Sequence, residues 1–432
     1  MGLLIGMGNN KPAWPYDNYY GVEWDTSAST TALTRIGKTT LHVSLPIQNR
    51  MRRCLLADDG HVVTYLGAND STKTDTGASA DLSGASGQVM VEIPEHWRKF
   101  EADGTKWRCL ISEIQLPGFH KVPKMYRSAY QAALDRTNNK LASVVNTTAQ
   151  YRGGNNTSGW DDTYRSLLGM PATNISLTNF RTYAGNRGTG WCCDVYAAQK
   201  ATYWLYTVEY ANFNCQAAYN AQPDANGFKQ GGLGPGVSQM TSWDTYNSYN
   251  PIIPCGVTNS LGNRTGVVTH NVLASDGETT HYAAPVPSYR GIENPFGHVW
   301  SWMDGCLASI QSGDSGKSSF YTCDDPSKFS STITSDYVKR GELARASGWF
   351  KTMMVGEYGE NMCTEVGGSS STYMADYFYT AIPGSGTETR GLLFGGAADY
   401  VAYGGLACAL SDHTPSSAAA HFGSRLCFIP AA

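Results

Sequence analysis

The chain runs to 432 residues, 41% of them hydrophobic and 16% charged, with a net charge of −4. That length can bury a sizeable core, as one large domain or two to three ordinary ones, and the lack of any basic stripe argues against nucleic acid as a partner. The excess lies in 26 Tyr, 11 Trp and 47 Gly, a mixture that suits either a recognition surface of stiff aromatics among small residues or a loop-rich, β-containing fold.

Taken in chain order, the first eight residues, Met1-Gly2-Leu3-Leu4-Ile5-Gly6-Met7-Gly8, lack the basic region and long apolar core of a signal peptide. No stretch is long enough to span a membrane, so no membrane insertion is expected. Leu41-His42-Val43-Ser44-Leu45 and His61-Val62-Val63-Thr64-Tyr65-Leu66 read as short strands. Residues 67–87, rich in Gly, Ser, Thr and Asp, read as a loop or boundary. This divides the chain into a small β-rich region over 1–88, serving attachment or assembly, and a main domain over 89–432. Val89-Met90-Val91-Glu92-Ile93-Pro94 is an alternating strand. Ser128 is placed to N-cap a helix carrying Tyr130, Ala133, Leu134, Leu141 and Val144. A second helix is predicted from Asp194, with Ala198, Ala201, Leu205, Val208 and Ala211 near helical spacing. The final third turns Gly-rich, aromatic and strand-like, which makes the whole α+β. Eleven scattered cysteines form no CxxC pair and no zinc spacing, and the vicinal Cys192-Cys193 reads as packing. An odd, scattered count fits synthesis in a reducing cytoplasm.

The most informative stretch lies near the end. Over residues 397–422, small residues recur as a frame and the side chains between them share no single chemistry: Asp399, Tyr400, Val401, Tyr403, Cys408, Leu410, Asp412, His413, Ser417, Ala418, Ala419, His421 and Phe422. A catalytic site wants a few matched groups in fixed roles; heterogeneous inserts in a small-residue frame suit display. The same stretch holds no Glu, Lys, Gln, Trp or Met, types that supply 61 residues of the whole chain. At average composition a window of that size would hold about three or four.

Three further segments carry a resemblance. Tyr289-Arg290-Gly291-Ile292-Glu293-Asn294-Pro295-Phe296-Gly297-His298-Val299-Trp300-Ser301-Trp302-Met303-Asp304-Gly305 resembles the Gly-Asn-Val-Trp-Glu-Trp strand of the formylglycine-generating-enzyme branch of the C-type lectin fold, with His298 and Ser301 replacing Asn and Glu. Arg390-Gly391-Leu392-Leu393-Phe394-Gly395-Gly396 and Phe422-Gly423-Ser424-Arg425-Leu426-Cys427-Phe428 sit where that family has its Arg-Gly-Gly-Ser-Trp and Gly-Phe-Arg segments. More narrowly, the chain resembles the variable proteins of diversity-generating retroelements of gut bacteriophages and their hosts. The resemblance implies a C-type lectin-like domain over 89–432 whose window near 397–422 is diversified by adenine-directed mutagenesis of AAY codons. Such mutagenesis cannot produce Glu, Lys, Gln, Trp or Met, the five types missing from the window.

What the resemblance implies is a ligand-binding protein of a phage tail fibre or receptor-binding assembly, and no enzyme. It would be made in the bacterial cytoplasm without a signal peptide, act on the virion tail or extracellular surface, and recognise a host cell-surface protein or glycan. A homo-oligomer or a virion assembly partner is expected, with no cofactor. The thirteen inserts named above are the expected contact residues, with Trp300 and Trp302 as core pillars behind them. Alternatives are a formylglycine-generating-like oxidoreductase, although Cys408 and Cys427 stand nineteen apart, and a structural virion component. His298 beside Glu293 and Asp304 is a conceivable acid–base cluster, more simply read as a structural histidine. Glu293-Asn294-Pro295 superficially resembles a calcium-dependent sugar motif, but with proline after rather than between its ligands; a buried structural calcium stays open.

Overall fold

A computed structural model describes residues 16–243 and 250–431; the leading stretch 1–8 lies outside the described residues. Strands dominate. Among the described residues, twenty-five of them accompany three α-helices: α1 (Thr39–Ser44), α2 (Leu177–Gly185) and α3 (Tyr196–Tyr210). The α+β class, and with it the C-type lectin-like fold that the resemblance implied, is therefore corrected to a predominantly β architecture.

Two local sequences explain much of the difference. Ser128 ends the strand Met125–Ser128, and the apolar residues after it form the hairpin Ala133–Asp135 with Lys140–Ala142 instead of a helix. The Asp135 carboxylate accepts from Thr137 N and Asn138 N at 3.1 and 3.0 Å, and Asn139 takes φ +50°. Asp and Asn hold such turns by bonding their own backbone, which outcompetes a helix whose apolar spacing is only approximate. In the opposite sense, Leu41-His42-Val43-Ser44 belongs to α1, which closes with Leu45 at φ +44° and its N–H on the Leu41 carbonyl. The strands expected near 61–66 and 89–94 are present as Val62–Tyr65 and Gln88–Ile93.

Sheet pairing crosses residue 88 twice. A five-stranded sheet orders Thr34–Gly37, Tyr20–Asp25, Lys106–Ser112, His96–Asp103 and His120–Val122. A six-stranded sheet orders Trp191–Cys193, Leu426–Phe428, Met125–Ser128, Gln88–Ile93, Arg52–Leu56 and Val62–Tyr65. Residues before 88 thus share a sheet with residues as distant as the C-terminal strand.

The helix expected from Asp194 is α3, and fourteen of its fifteen residues are buried. A helix apolar all round belongs inside a core, and Trp204, Tyr203 and Tyr206 are among the largest fully buried side chains of the molecule. Its two charges are each paired within the protein, Lys200 with Glu360 at 3.1 Å and Glu209 with Arg290 at 2.5 Å. Burial of charge demands such partners.

A nine-stranded sheet carries the site. Its spine is Trp300–Gln311, flanked by Ser318–Thr322 on one side and Thr387–Gly395 on the other. Beyond Thr387–Gly395 come Gly405–Leu410, then Tyr377–Tyr379 in parallel, then Gly348–Met354. The short strand Phe422–Gly423 returns parallel to Trp300 and Ser301. Trp300 and Trp302 are both wholly buried on this spine.

Candidate functional site: an aromatic terrace beside a braced turn

Residues 397–422 are threaded through the nine-stranded sheet rather than looped outside it. After Thr387–Gly395 the chain makes a 3₁₀ turn, Val401–Tyr403, enters the strand Gly405–Leu410, loops over 411–421 and rejoins the sheet at Phe422. Both ends are pinned. Gly395 and Gly396 take φ +100° and +90°, and a Cβ on Gly396 would lie 2.9 Å from the Gly404 Cα, so the small residues that frame the turn are sterically required. At the far end the Ser424 hydroxyl donates to the Trp302 carbonyl at 3.0 Å, and the Arg425 guanidinium, fully buried, donates to backbone carbonyls of Ser128, Glu293 and Asn294.

The thirteen expected contact residues divide into three groups. Val401, at 39% exposure, and Tyr403, at 41%, stand out from the turn, and Ala418 is exposed in the later loop. Asp399, Tyr400, Asp412, His413, Ser417, Ala419 and His421 are half-buried. Cys408, Leu410 and Phe422 are buried and are corrected from contact residues to framework. The reason is that every residue of Gly405–Leu410 is buried, so neither face of that strand is on display. Phe422 packs instead on Trp302, His413 and His421, with ring centroids 5.7, 4.9 and 4.7 Å away.

The exposed turn gathers aromatics from outside the window. Tyr403 lies 4.7 Å from Tyr377 and 5.2 Å from Trp349; Tyr400 lies 5.4 Å from Tyr379 and 5.1 Å from Trp300; and Tyr377 and Tyr379 are 4.5 Å apart. Trp349, Tyr377, Tyr379 and Tyr400 are all half-buried. Three of these pairs meet edge to face and two are tilted, and contacts at these separations favour a fixed arrangement, so the rings form a terrace. Sequence reading missed Trp349, Tyr377 and Tyr379. The only signal was the alternation Tyr377-Phe378-Tyr379, with Phe378 buried and both tyrosines on the opposite face.

The turn itself is held by neighbours. Gln216 Nε2 donates to the carbonyls of Val401 at 3.0 Å, Ala402 at 3.1 Å and Gly404. The Val401 N–H donates to the Ser238 carbonyl, and Met240 N donates to the Ala398 carbonyl at 2.8 Å. Val401 takes φ +51°, a conformation that is an outlier for a β-branched residue. Such strain persists only where surroundings over-determine it. Beneath the turn, the Asp376 carboxyl is buried against Gly405, where a Cβ would fall 1.7 Å from Oδ1. Its Oδ2 accepts from Ala407 N at 3.1 Å, and burial pushes its pKa up to about 8.

The other motifs resolve into structure. His298, at φ +69°, accepts at Nε2 from Ile253 N at 2.8 Å and lies 2.5 Å from Gln131 Oε1 through Nδ1; burial pulls it down to about 3. Asp304 is held by two bonds from Arg181 at 2.6 and 2.8 Å, so these groups form separate pairs rather than an acid–base cluster. The Glu293 carboxylate accepts from Gly256 N, Thr258 N and the Thr258 hydroxyl, so it ties the 256–258 loop to the strand. Among the described residues no group of three or more His, Cys, Asp or Glu side chains is placed to hold a metal. All eleven cysteines are buried and unpaired, and burial drives the Cys192, Cys193, Cys408 and Cys427 thiols well above the usual range. Among the described residues no helix is long and apolar enough to cross a membrane.

No protein-family model matches the chain, and no curated protein matches it. Among solved structures it is similar to a chain titled Major Tropism Determinant U1 Variant, at 11% identity and a TM-score of 0.27, covering 96% of this chain and 73% of that one.

Proposed function

We propose that this chain is a ligand-binding protein of a phage tail fibre or receptor-binding assembly, and that it recognises a host cell-surface protein or glycan through the aromatic terrace and the turn beside it. The observation that carries the reading is the convergence of Trp349, Tyr377, Tyr379, Tyr400 and Tyr403 at the surface from three separate stretches of chain. Tyrosine and tryptophan offer large contact area with little rotamer entropy to lose, which is why they concentrate at binding hot spots. Half-buried Asp399, Asp412, His413 and His421 would set polar specificity around them.

We further propose that the surface is diversified in the manner of retroelement variable proteins. Support comes from the five residue types missing between 397 and 422 and from the bracing of the turn by Gln216 and Ser238, which lie outside that window. Side chains at 399–403 and 412–421 can then change while the backbone is held by residues that do not. The buried Cys408, Leu410 and Phe422 would be constrained to apolar, size-matched replacements.

The test is attachment of the fluorescently labelled protein to host cells. A Tyr377→Ala/Tyr403→Ala double variant is expected to lose attachment by at least about tenfold, with a melting temperature within a few degrees of the parent. Undiminished attachment would overturn the proposal.

A further inference from the structure

A second concavity lies apart from the terrace, with no lining residue from 397–422. It encloses about 320 Å³, at the small end of the range for ligand pockets. Phe100, Val122, Phe329 and Ile429 contribute apolar wall, and Arg98, Lys121, Lys200 and Arg340 contribute charge. Lys121 is exposed and pairs with Glu95 at 2.8 Å; the other three cations, largely withdrawn from solvent, need explanation, because buried charge is costly unless paired.

The protein supplies too few anions. Lys200 Nζ bonds both oxygens of Glu360 at 3.1 Å, and Arg340 Nε approaches the same carboxylate at 3.7 Å. One buried carboxylate therefore serves two cations. Arg340 also reaches Asp324, at 3.3 Å, but that side chain is 73% exposed and lies at the rim. Asp304 lines the cavity but is held by Arg181, and Glu357 pairs with His120 at 3.0 Å, also at the rim. Among the described residues Arg98 has no carboxylate partner within ion-pair distance. Its Nη2 donates to the Tyr358 carbonyl at 3.2 Å, its guanidinium lies 5.3 Å from the centre of the Phe100 ring, and its Nη1 is buried without a hydrogen-bond partner among those residues. Desolvation pulls both the Arg98 guanidinium and the Lys200 ammonium below their ordinary values.

We infer that this cavity is a binding site for a small amphipathic carboxylic acid, its carboxylate drawn to the Arg98 guanidinium and its aromatic or branched aliphatic body against Phe100, Val122 and Phe329. A carboxylate supplies the missing negative charge and accepts a charge-assisted hydrogen bond from a guanidinium. Inorganic phosphate fits less well, because the walls are largely apolar.

Isothermal titration of the full chain with 3-phenylpropionate, 3-phenylpropan-1-ol and inorganic phosphate decides the matter. The expected result is saturable one-to-one binding of the acid. The alcohol and phosphate should each bind at least about tenfold more weakly, and Arg98→Gln should lose about tenfold in affinity for the acid, while Tyr403→Ala binds it as the parent does. Absence of saturable acid binding, equal binding of the alcohol, preference for phosphate, or an Arg98→Gln variant that binds normally would each overturn the assignment. Should Arg98→Gln fail to melt cooperatively, Phe329→Ala takes its place, with about a fivefold loss in affinity for the acid expected from the removed apolar wall and unchanged binding again overturning the assignment.

Discussion

Phe422 and Tyr403 stand nineteen positions apart in the same stretch, yet their substitution should have opposite readouts. Phe422 is 1% exposed and sits on Trp302, so Phe422→Ala is expected to cost about 3–5 kcal/mol of stability. Tyr403→Ala removes one partly exposed ring and should cost about 1 kcal/mol or less; chemical denaturation of both variants checks the contrast. Asp376 gives a second residue-scale expectation. Its folded-state pKa of about 8 lies above the ordinary carboxyl value of 3.8, so between those limits the folded form retains a proton that the unfolded form has released. Stability contributed by this group is complete below the lower value and is lost as pH rises toward the upper one. Denaturant melts at about pH 5 and about pH 8 should therefore show Asp376→Asn gaining on the parent at the higher pH, and a constant gap would contradict the assignment.

At the scale of elements, the decisive unit is the turn Val401–Tyr403 and its external brace. Gln216→Ala removes the donor to three carbonyls and is expected to cost about 1–2 kcal/mol, with faster amide exchange confined to residues near 399–404. Uniform exchange across the sheet would show that the brace holds nothing local. Much of this unit was legible in sequence, since the Gly395-Gly396 start, the Ser424-Arg425 close and the small-residue frame all have steric or hydrogen-bonding causes. The strand Gly405–Leu410 was not legible as framework, because Cys408 and Leu410 look as heterogeneous as their neighbours until sheet pairing buries both faces. Trp349, Tyr377 and Tyr379 were hidden for a related reason: proximity between distant stretches is set by strand order, and a parallel neighbour such as Tyr377–Tyr379 leaves no hairpin signal. Helix α3 was readable from its spacing, whereas the 125–142 stretch shows that spacing yields to turn chemistry when Asp and Asn can hold the backbone.

For the whole molecule, the consequence of pairing across residue 88 is that the N-terminal stretch is part of the body. Arg52–Leu56 covers one edge of Gln88–Ile93 over five paired positions, and Tyr20–Asp25 pairs six residues of Lys106–Ser112. A fragment spanning 89–432 would expose both edges and is expected to aggregate or melt without cooperativity; a sharp, parent-like transition would show that the main sheets close without it. The buried cysteines act at this scale too. Folded, the molecule presents no accessible thiol to an oxidant, while a fully unfolded one presents eleven, an odd number that leaves at least one to join another molecule. In oxidising surroundings loss of the fold thus becomes a ratchet: each opening that lasts long enough to cross-link removes a molecule for good, so the working lifetime is set by the unfolding rate rather than by the equilibrium between states.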